Sequence, residues 1–403
     1  MVTNGWENRT LESLCDSSAP ITYGVLKPGD YVDDGVPLLQ IKDLLNDLSE
    51  IDALHRISPE LDLEYKRSRI ATNDILISLV GTVGRIGLVP EALNGANIHR
   101  NLGRIRTNNY EFLVHYLNSD IAKNRIGLSS SGSSQSALNL SVLRALKVSI
   151  PPLPEQRKIA KILSTWDKAI ATTEKLIETS KQQKKALMQQ LLTGKKRLVN
   201  PETGKAFEGE WEEVKVSSLI TKHSEKTEIN KQYPVLTSSR KGIFFQSDYY
   251  NDRDVASEDT TGYNVVPRGY FTYRHMSDDL IFKFNRNTIC DRGIVSTLYP
   301  VFLANEDTVV PYLLQAVLNE GSAFKRFSLS QKQGGSRTYM YLSKLNELKL
   351  QIPNLIEQQK IASVLTAADK EIEVLQAKLA HFKQEKKALM QQLLTGKRRV
   401  VVE

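Results

Sequence analysis

An α+β chain is predicted by this 403-residue sequence: two mixed α/β globular domains joined by two long helices that form an antiparallel coiled coil, the whole an internal repeat with pseudo-two-fold character. Three observations predict it. A segment near the middle of the chain returns at its end without a gap. Each copy of that segment spaces its apolar residues at alternating steps of four and three. The long stretches between the copies carry short β-rich runs separated by turn residues.

The repeat comes first because it sets the domain count. Glu155-Gln156-Arg157-Lys158-Ile159-Ala160 returns 202 residues later as Glu357-Gln358-Gln359-Lys360-Ile361-Ala362. At the same offset Asp167 matches Asp369 and Gly194 matches Gly396, and KKALMQQLLTGK is identical at Lys184 to Lys195 and Lys386 to Lys397. Over the 41 residues that start at Glu155 and Glu357, 23 are identical. The implied layout is a first globular domain over 1–150, a first long helix over 151–198, a second domain over 199–352 and a second long helix over 353–403.

The copies read as helices with a coiled-coil seam. In the second, Ile361, Leu365, Ala368, Ile372, Leu375, Leu379, Phe382, Leu389 and Leu393 lie on it, with Lys386 in a remaining slot. In the first, Ile159, Leu163, Trp166, Ile170, Ile177, Leu187 and Leu191 occupy the matching places. Pro151, Pro152 and Pro154 mark the start, and Gly194 and Gly396 stand where a helix end belongs. Two such rods in one chain, each with an apolar seam, are expected to pack on each other. The order globule, helix, globule, helix makes the antiparallel sense the natural one, with the globules at opposite ends of a spacer.

The two globular segments share their edges and differ in their middles. Both open on Trp-Glu, at Trp6 and Trp211, and both close on Leu-Ser and then Ile-Pro, at Leu140 to Pro151 and Leu342 to Pro353. Dissimilar middles in a shared frame imply that the halves recognise different things; drift of redundant domains is the plainer alternative. Gly81-Thr82-Val83-Gly84-Arg85-Ile86-Gly87 follows the apolar run Ile75 to Val80 and lacks the Gly-Lys-Ser/Thr ending of a phosphate loop, so it reads as a tight turn.

Composition narrows the class. A quarter of the residues are charged and 40% are hydrophobic, as in a globular protein. No apolar run reaches the roughly 20 residues of a membrane helix, and the first residues lack a signal-peptide core. Cys15 and Cys290 cannot form a disulfide framework or a multi-cysteine zinc site, so a cytoplasmic setting is expected. The net charge of +8 lies in 155–200, at +7, and 357–403, at +3, while 1–154 and 201–356 carry −2 and 0. A polyanion partner must therefore be met by local patches.

Candidate contacts are Arg85, Arg100, Arg104, Arg106 and Gln135 in the first half, beside His99. In the second they are Arg274, Lys283, Arg286, Arg292, Lys332 and Arg337. Arg and Lys neutralise phosphates, and a subset with Gln reads base edges; a solvated surface is the bland reading of each. Tyr273 and similar aromatics are candidates for stacking or for packing. The polar loops Ser129 to Gln135 and Gln331 to Arg337 occupy matching places and suit insertion into a groove, or simple connection. No Walker A sequence, dinucleotide fingerprint, Asn-Pro-Pro-Tyr or metal-spaced histidine pair occurs, and no complete active site can be assembled.

Two variable regions that each end in Ile-Pro-x-Leu-x-Glu-Gln-x-x-Ile-Ala, each followed by a helix ending Leu-Leu-Thr-Gly-Lys, resemble the specificity subunit of type I restriction–modification systems. GVPLLQIKDL at Gly35 to Leu44 and DILISLVGTVGRIG at Asp74 to Gly87 are similar to the family's phrasing. The second copy reads IPNLIEQQ where the first reads IPPLPEQR, and the second half lacks a clear GTVG counterpart. The resemblance implies a non-catalytic subunit of a methyltransferase/endonuclease complex. In it, two target recognition domains read an asymmetric, bipartite double-stranded DNA target across a spacer set by the helices. It further implies docking of two adenine methyltransferase subunits onto Lys184, Lys185, Leu187, Met188, Leu191, Lys386, Lys387, Leu389, Met390 and Leu393, with restriction subunits as further partners. Packing of the helix pair is the plainer role for these residues. S-adenosylmethionine and ATP are then expected on the partner subunits, with no cofactor and no metal on this chain. The competing class is a coiled-coil scaffold that presents two protein-binding domains and never touches DNA.

Overall fold

The computed structural model describes residues 5–45, 48, 51–130, 137–251, 255–332 and 337–402. The long helices run Leu153–Leu191 and Leu355–Leu393. The first begins after Pro151 and Pro152, and the second is capped by Asn354, whose side chain accepts from the Glu357 amide at 3.0 Å. Gln156 and Gln358, at equivalent places, fold back to donate to the carbonyls of Pro151 and Pro353 at 2.8 and 2.9 Å. Both helices stop short of the expected limits 198 and 403. Just beyond each end, Gly194 and Gly396 take φ of +68°, a conformation that costs a side chain and suits glycine.

Packing regroups these elements into two compact units, Met1–Lys175 with Ala377–Glu403, and Leu176–Gln376. Both division points fall inside the long helices. Each unit therefore contains a globular region, the first half of the helix that follows it, and the second half of the other helix. This differs from a partition at 150, 198 and 352, which follows the order of elements along the chain.

In the first unit a four-stranded antiparallel sheet runs in the order Thr22–Tyr23, Leu102–Ile105, Ile75–Ser78, Ile86–Leu88. A second sheet places Val36–Leu39 between His55–Ile57 and, in parallel, Asn97–Ile98. The GTVGRIG segment is the turn between Ile75–Ser78 and Ile86–Leu88: Gly81 and Gly84 take φ of +73° and +81°, and the Gly84 amide donates to the Ser78 carbonyl at 3.0 Å. The ends of the region close on each other, with Glu7–Thr10 antiparallel to Lys147–Ile150 and Glu7 opposite Ile150.

The second unit repeats that closure, with Glu212–Lys215 against Lys349–Ile352 and Glu212 opposite Ile352. Its middle is built differently. A four-stranded sheet orders Ile220–His223, Val301–Ala304, Phe271–Thr272, Asn285–Arg286, and the hairpin Leu236–Ser239 with Gly242–Phe245 lies beside it. A likeness invisible in the sequence is a helical hairpin at the same place in each half, Tyr110–Asn118 with Asp120–Ser130 and Pro311–Glu320 with Ser322–Ser330.

The core of each unit is completed by both repeats. In the first, Trp6, Leu11, Tyr116, Leu143 and Val148 pack with Ile159 and Leu163 from the first long helix and with Leu393 and Leu394 from the second. In the other, Val216, Leu219, Phe302 and Leu314 pack with Ile361 and Leu365 from the second helix and with Leu191 from the first. Polar pairs follow the same exchange. Glu155 is held by Arg399 and Glu357 by Arg197, each through two guanidinium–carboxylate contacts of 2.7–2.8 Å. Lys386 bonds Asp167 and Lys184 bonds Asp369. Each of these pairs maps onto its counterpart at the 202-residue offset. Within the first unit Lys386 meets Asp167 and Lys383 meets Glu174, so one helix ascends as the other descends. Trp166 and Phe382 fill this seam edge to face, 5.5 Å apart.

Glu357 is 1% exposed, so its charge depends on Arg197. Arg197→Ala is expected to destabilise the protein by roughly 3 kcal/mol, because it strands a buried carboxylate. Adding Glu357→Gln should recover part of that loss, as read by the denaturation midpoint.

Candidate nucleic-acid interface

In the first unit the strand Leu102–Ile105 is buried on both faces, and Arg104 points inward at 3% exposure. Its guanidinium donates to the carbonyls of Arg69 at 3.2 Å and Pro20 at 3.0 Å, and burial lowers its pKa from the ordinary guanidinium value. Arg106 is bound at two points by the buried Asp74, at 2.8 and 2.7 Å, and that hydrogen bonding raises its pKa. Arg104 is not placed to meet a phosphate, which corrects the expectation for it, whereas Arg106 is half-exposed and engaged by Asp74. Asp74 was the missed signal: the register Ile75 opposite Ile105 brings the acid preceding one strand to the arginine following the other. Arg100 is exposed and Arg85 half-exposed, and among the described residues neither has an acidic partner. Gln135 lies outside the described residues, as does most of its loop.

The second unit presents a clearer surface. Arg274 is exposed and lines a cleft of about 430 Å³ with Arg240, Lys241, Lys283, Tyr249 and Tyr250. Strand pairing puts Arg240 and Lys241 there, since they form the turn between Leu236–Ser239 and Gly242–Phe245. Neither residue is among the contacts expected from the sequence; the signal for the turn is the pair of short β-rich runs on either side of it. Lys283 is paired with Glu320 at 2.8 Å, Arg337 with Asp278 at 3.1 Å, and Arg292 with Glu225 while it lies over the Tyr233 ring. Arg286 is half-buried in its strand, with Nε buried and unpartnered among the described residues. Lys332 is exposed without an acidic partner among the described residues. Tyr273 belongs to the core: it is fully buried, its hydroxyl donates to the Met340 carbonyl at 2.9 Å, and burial raises its pKa. It is a packing residue, which corrects the stacking expectation.

The repeated helix ends divide by exposure. Leu191 and Leu393 are core residues, buried at 0% and 2%, and are not available to a partner. Leu187, Met188, Leu389 and Met390 are half-buried against the same cores. Lys184 and Lys386 are held by their aspartates, while Lys185 is exposed and Lys387, also exposed, lies 3.6 Å from Asp120. In each unit these residues line a groove. One, of about 360 Å³, includes Ile170, Lys386, Lys387 and Met390; the other, of about 810 Å³, includes the equivalent Ile372, Lys184, Lys185 and Met188. Among the described residues no cluster of three or more His, Cys, Asp or Glu is suited to hold a metal, and no helix is long and apolar enough to cross a membrane.

A duplicated frame that closes two dissimilar, locally basic recognition regions defines a two-domain recognition protein. The chain belongs to the family of the type I restriction modification DNA specificity domain, whose family model matches residues 3–182 and 208–384. It is 34% identical over 166 residues to the EcoBI specificity subunit of a type I restriction enzyme from Escherichia coli, covering 40% of this chain and 35% of that subunit. It is 25% identical over 428 positions to the putative MjaX specificity subunit of Methanocaldococcus jannaschii, covering 99% and 95% of the two chains. The chain thus spans about a third of the first relative and nearly all of the second. The S subunit of a type I restriction–modification system from M. genitalium shares the fold, with a TM-score of 0.57 and 14% identity over 97% of this chain and 96% of that one.

His115 ties the helical hairpin of the first unit to the long helix, with Nε2 3.0 Å from the Ser164 hydroxyl and Nδ1 3.6 Å from Asp167. Burial lowers its pKa to about 4; the Asp167 charge opposes that and Lys386 adds to it. The unfolded chain takes up this proton near pH 6.5, while the folded chain refuses it until about pH 4. Stability present above pH 6.5 is therefore lost as the pH falls through that window, on the order of 3 kcal/mol. Between pH 7 and pH 4.5 the denaturation midpoint of His115→Gln should fall less than that of the native chain.

Proposed function

We propose that this chain is the DNA-reading, non-catalytic specificity subunit of a type I restriction–modification assembly, acting in the cytoplasm. Each recognition region reads one half of an asymmetric split sequence in double-stranded DNA. The exposed parts of the repeated helix ends, Lys185 and Met188 in one unit and Lys387 and Met390 in the other, dock two adenine methyltransferase subunits, with restriction subunits joining that core. On this reading the chain carries no cofactor of its own, and S-adenosylmethionine and ATP belong to the partner subunits.

The observation that carries the reading is the contrast between frame and face. The frame is duplicated down to its ion pairs, which suits the same partner engaged twice. The faces differ in strand order and in their basic residues, which suits two different half-sites. Of the candidate contacts, Arg100, Arg274 and Lys332 are exposed and without an acidic partner among the described residues.

Changing these three residues together to Ala should weaken binding to a mixed-sequence duplex and make its salt dependence shallower by about one unit per lost contact. Arg104→Ala should lower thermal stability and leave that slope unchanged. A scaffold that never touches DNA predicts no binding to alter. In the source cells, loss of the gene should erase a split, asymmetric N6-methyladenine motif from the genome-wide methylation map, and an unchanged map in cells with an active methyltransferase would refute the assignment.

A further inference from the structure

Tyr339 and Tyr341 flank the buried Met340 and present both rings to solvent, at 43% and 53% exposure. Their planes are 10° apart with centroids separated by 5.9 Å, and Tyr341 lies against the His275 ring at 5.2 Å, 28° from parallel. Among the described residues neither phenol hydroxyl has a hydrogen-bond partner. The aromatic group adjoins the basic cleft of the same unit. Tyr339 pairs across the strand with Met276, which lines that cleft, and His275 follows Arg274 in the chain. Arg337, two residues before Tyr339, is also exposed.

The repeat shows that the frame does not require these rings. At the 202-residue offset Met340 corresponds to Leu138, and both are buried core residues. Tyr339 and Tyr341 correspond to Ala137 and Asn139. The inward position is kept apolar in both halves, and the outward positions are aromatic in one half alone. Two large, partly apolar rings within 10° of parallel, packed against a buried histidine and beside a cleft that exposes Arg274 and Lys241, have the chemistry of a nucleobase platform.

The geometry points to Tyr339 and Tyr341 as a base-stacking platform of the second recognition region, which engages a nucleobase opened from the DNA duplex. This rests on the DNA-reading function proposed above. Stacking releases no counterions, so its loss weakens binding without changing the salt slope, unlike the loss of Arg274.

The test uses fluorescence anisotropy of the full chain with a mixed-sequence duplex and with the same duplex carrying a short central bubble of mismatches. The native chain and Tyr339→Phe/Tyr341→Phe are expected to bind the bubble about tenfold more tightly than the duplex. Tyr339→Ala/Tyr341→Asn, which installs the residues the first half carries, should bind both alike with an unchanged salt slope. A folded Ala/Asn variant that keeps the preference overturns the platform. A native chain that binds duplex but shows no preference also overturns it while leaving the DNA-reading function standing, whereas a chain that binds neither DNA overturns both. Quenching of 2-aminopurine placed in the bubble by the native chain gives a reading independent of any variant's folding, and its absence would refute stacking.

Discussion

Two buried carboxylates set the construction of this protein. Glu155 and Glu357 stand at the starts of the long helices, almost without solvent, and a charge so placed is costly unless a partner neutralises it. In both cases the guanidinium comes from beyond the end of the other long helix. Neither repeat can satisfy its own glutamate. Leu191 and Leu393 impose the same condition on the apolar side, because each completes the core of a unit whose globular region comes from the other half of the sequence. The recognition regions are therefore held by exchange between the repeats.

The exchange separates what can vary from what cannot. Residues that carry it recur at a fixed offset with their pairings intact, from Asp167 and Lys386 to Asp369 and Lys184. The closing strands on either side of each middle recur as well. Inside that clamp the sheets differ in strand order and in the charge they expose, without disturbing the helices. The two ranges matched by the family model each take in one of these middles together with most of the long helix that follows it.

The distribution of cations illustrates how tertiary structure sorts residues of one type. Arg104 and Arg106 are close neighbours of Arg100 in sequence, yet the first is buried and serves two backbone carbonyls, the second an internal aspartate, and Arg100 faces water. A guanidinium can bridge carbonyls that would otherwise lack donors or project into solvent, and composition does not distinguish the two. In the second unit a hairpin turn gathers Arg240 and Lys241 beside Arg274, although more than thirty positions separate them in the chain.

The sequence by itself determined the duplication, the two long helices and the seam along them, because heptad spacing and a gapless offset are properties of local order. It also determined the helix ends, where Gly194 and Gly396 allow a left-handed turn, and the tight turn around Gly81 and Gly84. Only the tertiary structure decided that each unit would be made from both repeats, since that depends on which distant residues neutralise Glu155 and Glu357. It likewise decided which basic and aromatic residues are surface and which are framework: Tyr273 closes a core while Tyr339 and Tyr341 meet solvent. Burial on short strands follows from what packs against each face, and that information is not local to the chain.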